Sequence, residues 1–302
     1  MKPLSQERIG EIFIALETIL YATFPILIAH STKIMPPILF AALGSIIAGI
    51  FMFFYILIKK EFKDIFNLRT IKYTLGVTVF IVIIPSIFIF LGSSKTSGIN
   101  TTILLQSEIL FTLIICGIFT DDKVTLKKLI GAIIMVVGTL FILFNKNFSI
   151  NWGDIMIIIG TLFYPVGNIF AKKALKFSSP SSIVFIRNVI GGIILLLISL
   201  QFETINTPIN QMITGNLFAF FVNGILISAI SKIVWYEGLK RIDISKAILL
   251  SIGGYPAISL IFAIIFLKEI PTLQQIMGFA IIIFGVFQII ERKKSLQINP
   301  EY

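Results

Sequence analysis

Ten apolar stretches follow one another along the 302 residues of this chain, at roughly 10–30, 36–58, 73–92, 97–118, 126–144, 152–171, 180–200, 214–235, 244–267 and 272–290. Each is close to the ~20 residues that a helix needs to cross a ~30 Å hydrocarbon layer. Runs such as MVVGTLFILF and GGIILLLISL are apolar on every face. They therefore read as spanning helices, not as the alternating strands of a membrane barrel. Charged residues make up 13% of the chain and apolar residues 57%, too little charge to clothe a water-soluble domain of this size. The same balance excludes a disordered chain. One cysteine, Cys116, and one histidine, His30, exclude a disulfide framework and leave no zinc ligand set. No cofactor is expected.

Lysine and arginine orient the spans. With the N-terminus in the cytoplasm, the inner segments hold 19 of the 25 basic residues and the outer loops hold Lys33, Lys95, Lys146 and Lys268. Arg187 and Lys232 fall inside spans. Such a bias in short loops is a positive-inside signal, which places both termini in the cytoplasm and demands an even number of spans. The net charge of +10 is then a mark of topology, and nucleic acid is not an expected partner. The N-terminal segment MKPLSQERIGE precedes no small-residue cleavage site, so the first apolar stretch is expected to stay as a membrane helix.

The chain also matches itself. Shifted by 147 residues, FTDDKVTLKKLIGAIIMVVG (119–138) lies over FLKEIPTLQQIMGFAIIIFG (266–285), with Phe119, Thr125, Leu126, Gly131, Ile134 and Gly138 on identical residues and Asp122 on Glu269. A slightly different shift sets Gly10-Glu11 on Gly153-Asp154 and Tyr21 on Tyr164. Residues 1–147 and 148–302 each hold five spans. Five is odd, so the second half is expected upside down relative to the first, an arrangement that recurs in secondary transporters.

Ionisable residues are costly in hydrocarbon and mark function by default. Glu108 lies near the middle of the fourth span, beside Gln106 and Ser107. It reads either as a cavity group for a substrate cation or proton, or as an interhelical anchor. Thr101, Glu108 and Thr112 fall on one face of a continuous helix. Glu17, Tyr21 and Phe24 share a face of the first span, and Gly160, Tyr164 and Asn168 or Gly167 the matching face of the sixth. These read as paired cavity walls or as ordinary packing, with Glu17 near enough to the cytoplasmic end to reach water. Ser228, Lys232 and Trp235 share a face of the eighth. For Lys232 the readings are snorkelling to the cytoplasm, pairing with Glu108, or attracting a carboxylate substrate. Trp235 reads as a cavity wall or an interface belt residue. Arg187 reads as half of an ion pair with Glu17 or Glu11, His30 as a solvated helix end, and Cys116 as apolar packing. Pro25, Pro85, Pro165 and Pro256 predict kinks in spans one, three, six and nine. Ser45 with Gly49 predicts a close helix approach. Gly131 with Gly138, and Gly278 with Gly285, lie on single faces of spans five and ten, for contact within one chain or between two in a homodimer.

The five-plus-five pattern, the segment TSGINTTILLQSEILFTLIICGIF and the ending FLKEIPTLQQxxGxxxIxxG resemble the drug/metabolite transporter superfamily, EamA branch, over about 10–290. The resemblance implies ten helices and transport of a small metabolite, often export of amino acids. It also implies functional positions on the fourth and ninth helices, where this chain has Glu108-Ile109 and Tyr255-Pro256 in place of a Glu-Pro pair. The family's first-helix aromatic, often Trp-Gly, appears as Tyr21-Ala22 and Tyr164-Pro165.

The expected function is a secondary transporter of the plasma membrane. It moves a small amphipathic solute of amino-acid size through a central cavity by alternating access, driven by a proton gradient, by exchange, or by the solute gradient alone. No GxxxxGK[ST] string occurs, so nucleotide hydrolysis is not the expected energy source. The expected cavity residues are Glu108, Gln106, Tyr21, Glu17, Tyr164, Asn168, Lys232, Trp235 and Tyr255. The alternatives are an integral-membrane enzyme, for which the five scattered aspartates form no convincing centre, and a channel, for which no polar rings recur.

Overall fold

A computed structural model describes residues 4–120, 126–143, 151–205 and 208–289. Among them there are helices and no strands. Seven helices are long and apolar enough to cross a membrane: α1 (Gln6–Ser31), α2 (Pro37–Lys59), α3 (Leu68–Ser93), α4 (Gly98–Phe119), α6 (Trp152–Ala174), α7 (Pro180–Phe202) and α8 (Asn210–Leu239). Three more carry shorter apolar stretches: α5 (Leu126–Leu143), α9 (Ile244–Phe262, prolonged by a π-helical turn to Leu267) and α10 (Leu273–Ile289). Asp121-Asp122 and Lys146 lie outside the described residues.

Local sequence starts the helices. Side chains of Ser5, Asn67, Ser97, Asn151 and Ser179 accept hydrogen bonds from the first-turn amides of α1, α3, α4, α6 and α7, satisfying donors that no carbonyl of the helix can reach. α2 begins with Pro36-Pro37 and has no cap of its own. Its amides at Ile38 and Leu39 donate to the Glu203 carboxylate at the far end of α7, over 2.8 and 2.9 Å. In the opposite direction, Asp64 just beyond α2 accepts from the Ser179 amide at the start of α7 (2.8 Å), and the Ser181 hydroxyl donates to Glu61. Each helix of the α2–α7 pair thus caps the other.

Five helices are interrupted among the described residues, one of them α8, which widens into a π-helical stretch over Phe221–Ser231. α1 breaks at Ala22–Thr23, ahead of Pro25. α3 widens into a π-helical turn over Thr78–Ile83, ahead of Pro85. α6 breaks at Phe163, ahead of Pro165. The proline ring and its missing N–H explain all three. α4 breaks at Leu105–Gln106 with no proline nearby. α9 runs unbroken past position 256; the side chain of Pro256 is outside the described set. Protein groups take over some of the backbone freed at the breaks. Ser259 of α9 donates to the Ala22 carbonyl (2.5 Å). Ser107 donates to the Leu104 carbonyl (2.6 Å), and its oxygen lies 2.8 Å from the Thr161 hydroxyl, joining the breaks of α4 and α6.

Glycines set the close approaches. A Cβ on Gly49 of α2 would stand 2.8 Å from Val189 of α7, and one on Gly192 of α7 would stand 3.2 Å from Ser45 Cβ. The close approach expected at Ser45 and Gly49 is therefore made, against α7. The glycines of α5 and α10 face each other within the chain. A Cβ on Gly138 would stand 2.9 Å from the Gly278 carbonyl, and one on Gly285 would stand 2.7 Å from the Gly131 carbonyl. Of the two readings of these glycines, contact within one chain is the one observed. Large apolar residues such as Phe54, Ile58, Leu197, Leu200, Ile133 and Val137 point outward. The excess apolar composition is spent on an apolar exterior as well as on the core, which suits hydrocarbon and not water.

Replacing Gly138 with valine forces α5 and α10 apart, because one near neighbour is a backbone carbonyl that cannot move alone. The expected loss is about 1–3 kcal/mol of stability. Gly215→Ala meets only Ile34, at 3.6 Å, and is expected to cost nothing. Thermal melts of the two variants in detergent compare them.

Candidate functional site

The helix breaks surround one cavity of about 110 Å³, lined by residues of α1, α2, α3, α4, α6, α7, α8 and α9. The broken helices aim new N-terminal ends at it. The second part of α1 begins at Phe24, that of α6 at Tyr164, and Glu108 stands in the first turn of the second part of α4. A helix N-terminus carries partial positive charge, which favours a carboxylate where Glu108 lies.

Eight of the nine expected residues line the cavity: Glu17, Tyr21, Glu108, Tyr164, Asn168, Lys232, Trp235 and Tyr255. Gln106 does not. It is buried in the break of α4, its amide nitrogen 3.3 Å from the Thr102 carbonyl and its amide oxygen without a partner. Thr101 and Thr112 do not line the cavity either. Thr101 lies across the α4 break from Glu108, which removes it from the single face of an uninterrupted helix, whereas Thr112 shares the unbroken segment Ser107–Phe119 with Glu108 and is buried with its hydroxyl unpartnered. Thr101 turns instead to the Ser97 carbonyl (2.9 Å) and Ser93 (3.3 Å).

α1 and α8 run antiparallel and touch at Gly10 and Gly238. Seven residues onward along α1 is Glu17, and seven back along α8 is Ser231, so the crossing itself brings Glu17 to Lys232. Their charged atoms are 2.6 Å apart. Ser231 (3.3 Å) and Ser251 of α9 (3.0 Å) also donate to the carboxylate. The ammonium rests 3.9 Å from the centre of the Tyr21 ring, a cation–π contact. Lys232 therefore neither snorkels to the cytoplasm nor pairs with Glu108, and Glu17 is buried, not wetted from the cytoplasmic end. Tyr21 also stacks on Phe24 and meets Tyr255 edge-on, with ring centres 4.7 and 5.6 Å away. Trp235 is buried and donates to Asn168 (3.3 Å), so it is a wall of the cavity and not a belt residue.

Arg187 corrects another expectation. Glu17 belongs to Lys232, and Glu11 pairs with Lys246 at 2.5 Å. Arg187 meets no carboxylate among the described residues. It donates to the Tyr236 hydroxyl at 2.9 Å and reaches the Ser228 carbonyl at 3.5 Å. Asn188 shares that carbonyl at 3.1 Å. Ser228 lies in a long π-helical stretch of α8, Phe221–Ser231. The sequence reading missed Ser86, Asn188, Asn223, Tyr236 and Ser251 as lining residues. Asn188 and Asn223, amides inside apolar runs, were the available signal. The serines and Tyr236 carried none. His30 is exposed at the end of α1 and Cys116 is buried. Among the described residues, no three His, Cys, Asp or Glu side chains gather to hold a metal.

Lys232→Met would leave the Glu17 carboxylate buried and unpaired. Removing one partner of such a pair costs roughly 3–5 kcal/mol. Adding Glu17→Gln is expected to restore most of the loss, a recovery read from thermal melts of the single and double variants.

The chain matches the sequence model of the EamA-like transporter family twice, at residues 8–144 and 151–290. It is 24% identical to the uncharacterized transporter YoaV of Bacillus subtilis over 84% of this chain and 87% of that protein. It is 22% identical to an uncharacterized transporter of Archaeoglobus fulgidus over 88% and 93%. An uncharacterized protein of Methanocaldococcus jannaschii, MJ1333.1, is 32% identical over 44% of this chain and 94% of its own length. A solved crystal structure shares the fold with a TM-score of 0.68, at 16% identity, over 92% of this chain and 95% of its own. With most of its length covered by the family model, this multi-span membrane protein belongs to the EamA-like transporter family.

Proposed function

We propose that the protein is a ten-span secondary transporter of the plasma membrane, with both termini in the cytoplasm. It binds a small amphipathic metabolite of amino-acid size in the central cavity and moves it, by export, through alternating access. The observation that carries this reading is the cavity itself: interrupted helices from both halves of the chain bring charged and aromatic side chains together inside the apolar span. Broken helices whose ends meet at a shared site are a recurring device of secondary transporters.

Two inverted halves, 1–147 and 148–302, fit the contacts. Gly138 against Gly278 in one direction is Gly285 against Gly131 in the other, and the 147-residue shift exchanges the two. Gly10 of α1 against Gly238 of α8 has its counterpart in Gly153 of α6 against Gly92 of α3. The family model matches each half once, and one relative has about the length of a single half. Carboxylates fasten helices together at both ends, by ion pairs at one and by hydrogen bonds at the other. At the end proposed as cytoplasmic, Lys246 of α9 holds Glu7 (2.6 Å) and Glu11 (2.5 Å) of α1. At the other, Asp154 of α6 accepts from Thr96 (2.5 Å) and from Asn100 of α4 (3.4 Å), while Glu269 accepts from the amides of Gly98 (3.2 Å) and Ile99 (3.0 Å). Alternating access would open these two fastenings in turn. The 19-to-4 distribution of basic residues supports the orientation.

Counterflow in proteoliposomes tests the proposal. Internal unlabelled solute, screened across the amino acids and their analogues, is expected to stimulate uptake of the labelled form. Flux without trans-stimulation would mean a channel, and release of an altered product would mean an enzyme. Glu108→Gln removes a charged contact worth about 1.5–3 kcal/mol, so transport is expected to slow roughly ten- to hundredfold and to lose its dependence on pH. Unchanged rate and pH profile would remove Glu108 from the mechanism.

A further inference from the structure

Four ionisable side chains line the cavity: Glu17, Lys232, Glu108 and Arg187. Glu17 and Lys232 neutralise each other over 2.6 Å. The other two stand apart, and neither has an ion-pair partner within 4 Å among the described residues. Arg187 is the more exceptional. It is 3% exposed, yet a guanidinium carries five N–H donors and only two hydrogen bonds occupy them, one of these at 3.5 Å. Its Nε is buried and has no partner. Beside it, Tyr236 supplies a ring 5.4 Å from the guanidinium carbon and a hydroxyl that holds Nη1. Asn188 and Asn223 lie on the same wall, and the Asn223 amide oxygen is likewise buried without a partner.

A buried cation with spare donors costs free energy unless an anion meets it. Among the described residues, other cations hold several of the carboxylates: Glu11 and Glu7 on Lys246, Glu17 on Lys232, Glu237 on Lys240 and Arg241. We propose that Arg187 is the anion-binding residue of the cavity and that the transported solute presents a carboxylate to it. A guanidinium matches the two oxygens of a carboxylate with a parallel pair of N–H groups. Lys232 is already neutralised, so the wall offers one uncompensated positive charge. That suits a monoanion and not a phosphate dianion. Glu108, without an ion-pair partner, is placed to receive an ammonium group of the same molecule. The fully matched solute is then a zwitterion, with aromatic and aliphatic surface left for its side chain.

This inference rests on the transporter reading for the word "solute", but its test needs no transport. Purified protein in lipid nanodiscs is titrated with three probes on one skeleton, L-phenylalanine, 3-phenylpropanoate and phenethylamine. It is then titrated with the leucine set, L-leucine, 4-methylpentanoate and isopentylamine. Melting temperature and the fluorescence of Trp235, in a Trp152→Phe background, report binding. The amino acid and the acid of at least one set are expected to bind saturably and more tightly than the amine. Arg187→Gln is expected to weaken the acid roughly tenfold or more, and Arg187→Lys, which keeps the charge and loses the fork, to weaken it less. If Arg187→Gln does not fold, the ranking of acid over amine on the unaltered protein still decides. The proposal falls if no carboxylate binds, if the amine binds as tightly as the acid, or if acid binding survives Arg187→Gln. Arg187-dependent carboxylate binding without trans-stimulated flux would keep the anion site and sink the transporter reading. Flux of an amine that ignores Arg187→Gln would do the reverse.

Discussion

Hydrocarbon offers no partner to a backbone carbonyl, so a helix can be interrupted inside it only where protein or a polar cavity takes over the freed bond. That constraint organises this molecule. α1, α3, α4 and α6 are all interrupted within their apolar stretches, and all four contribute walls of the same cavity. The breaks lean on neighbours: Ser259 holds the Ala22 carbonyl, and Ser107 meets Thr161. The unbroken α2–α7 pair makes the firm side of the bundle, clasped by glycine contacts in the middle and by exchanged carboxylate caps at both ends.

The same economy governs the charges. Glu17 and Lys232 face one another because an antiparallel crossing with glycine at its contact fixes which residues meet seven positions on. Two serines and the Tyr21 ring then complete the shell around the pair. A pair so well satisfied is a wall. Glu108 and Arg187 are different in kind, since each keeps binding capacity that the described protein groups leave unused. The cavity thus offers one acidic and one basic side chain beyond the satisfied pair, which is what a dipolar solute requires.

Much of the fold was legible because it obeys one-dimensional rules. Span lengths, the proline-induced breaks in α1, α3 and α6, and the small-residue contact of Ser45 and Gly49 follow from local chemistry. The break in α4 did not, because it has no proline: the bonds of Gln106 and Ser107 to the carbonyls of Thr102 and Leu104 are ones polar side chains also make in unbroken helices, and the Thr161 hydroxyl beside Ser107 arrives only with the fold. One such turn was enough to take Thr101 off the face of Glu108. Partners across helices were also beyond reach. Lys232 was assigned three possible roles, and the actual one, holding Glu17, depends on a crossing point more than two hundred residues apart in sequence. Arg187 was assigned a carboxylate partner that other lysines already occupy. Tyr236 and Ser251 entered the site only through packing, since an isolated tyrosine or serine on an apolar helix is unremarkable by itself.

On the transporter reading, this cavity is the compartment through which the solute passes, reached from each side of the membrane in turn. Ser86 lines it and is partly exposed, and Cys116 is the chain's one cysteine. A Ser86→Cys variant lacking Cys116, reconstituted in liposomes, can be challenged with a membrane-impermeant thiol reagent from either face. Labelling is expected from both faces, slowed in each case by a carboxylate-bearing solute. Labelling from one face alone, whatever solute is present, would contradict that reading.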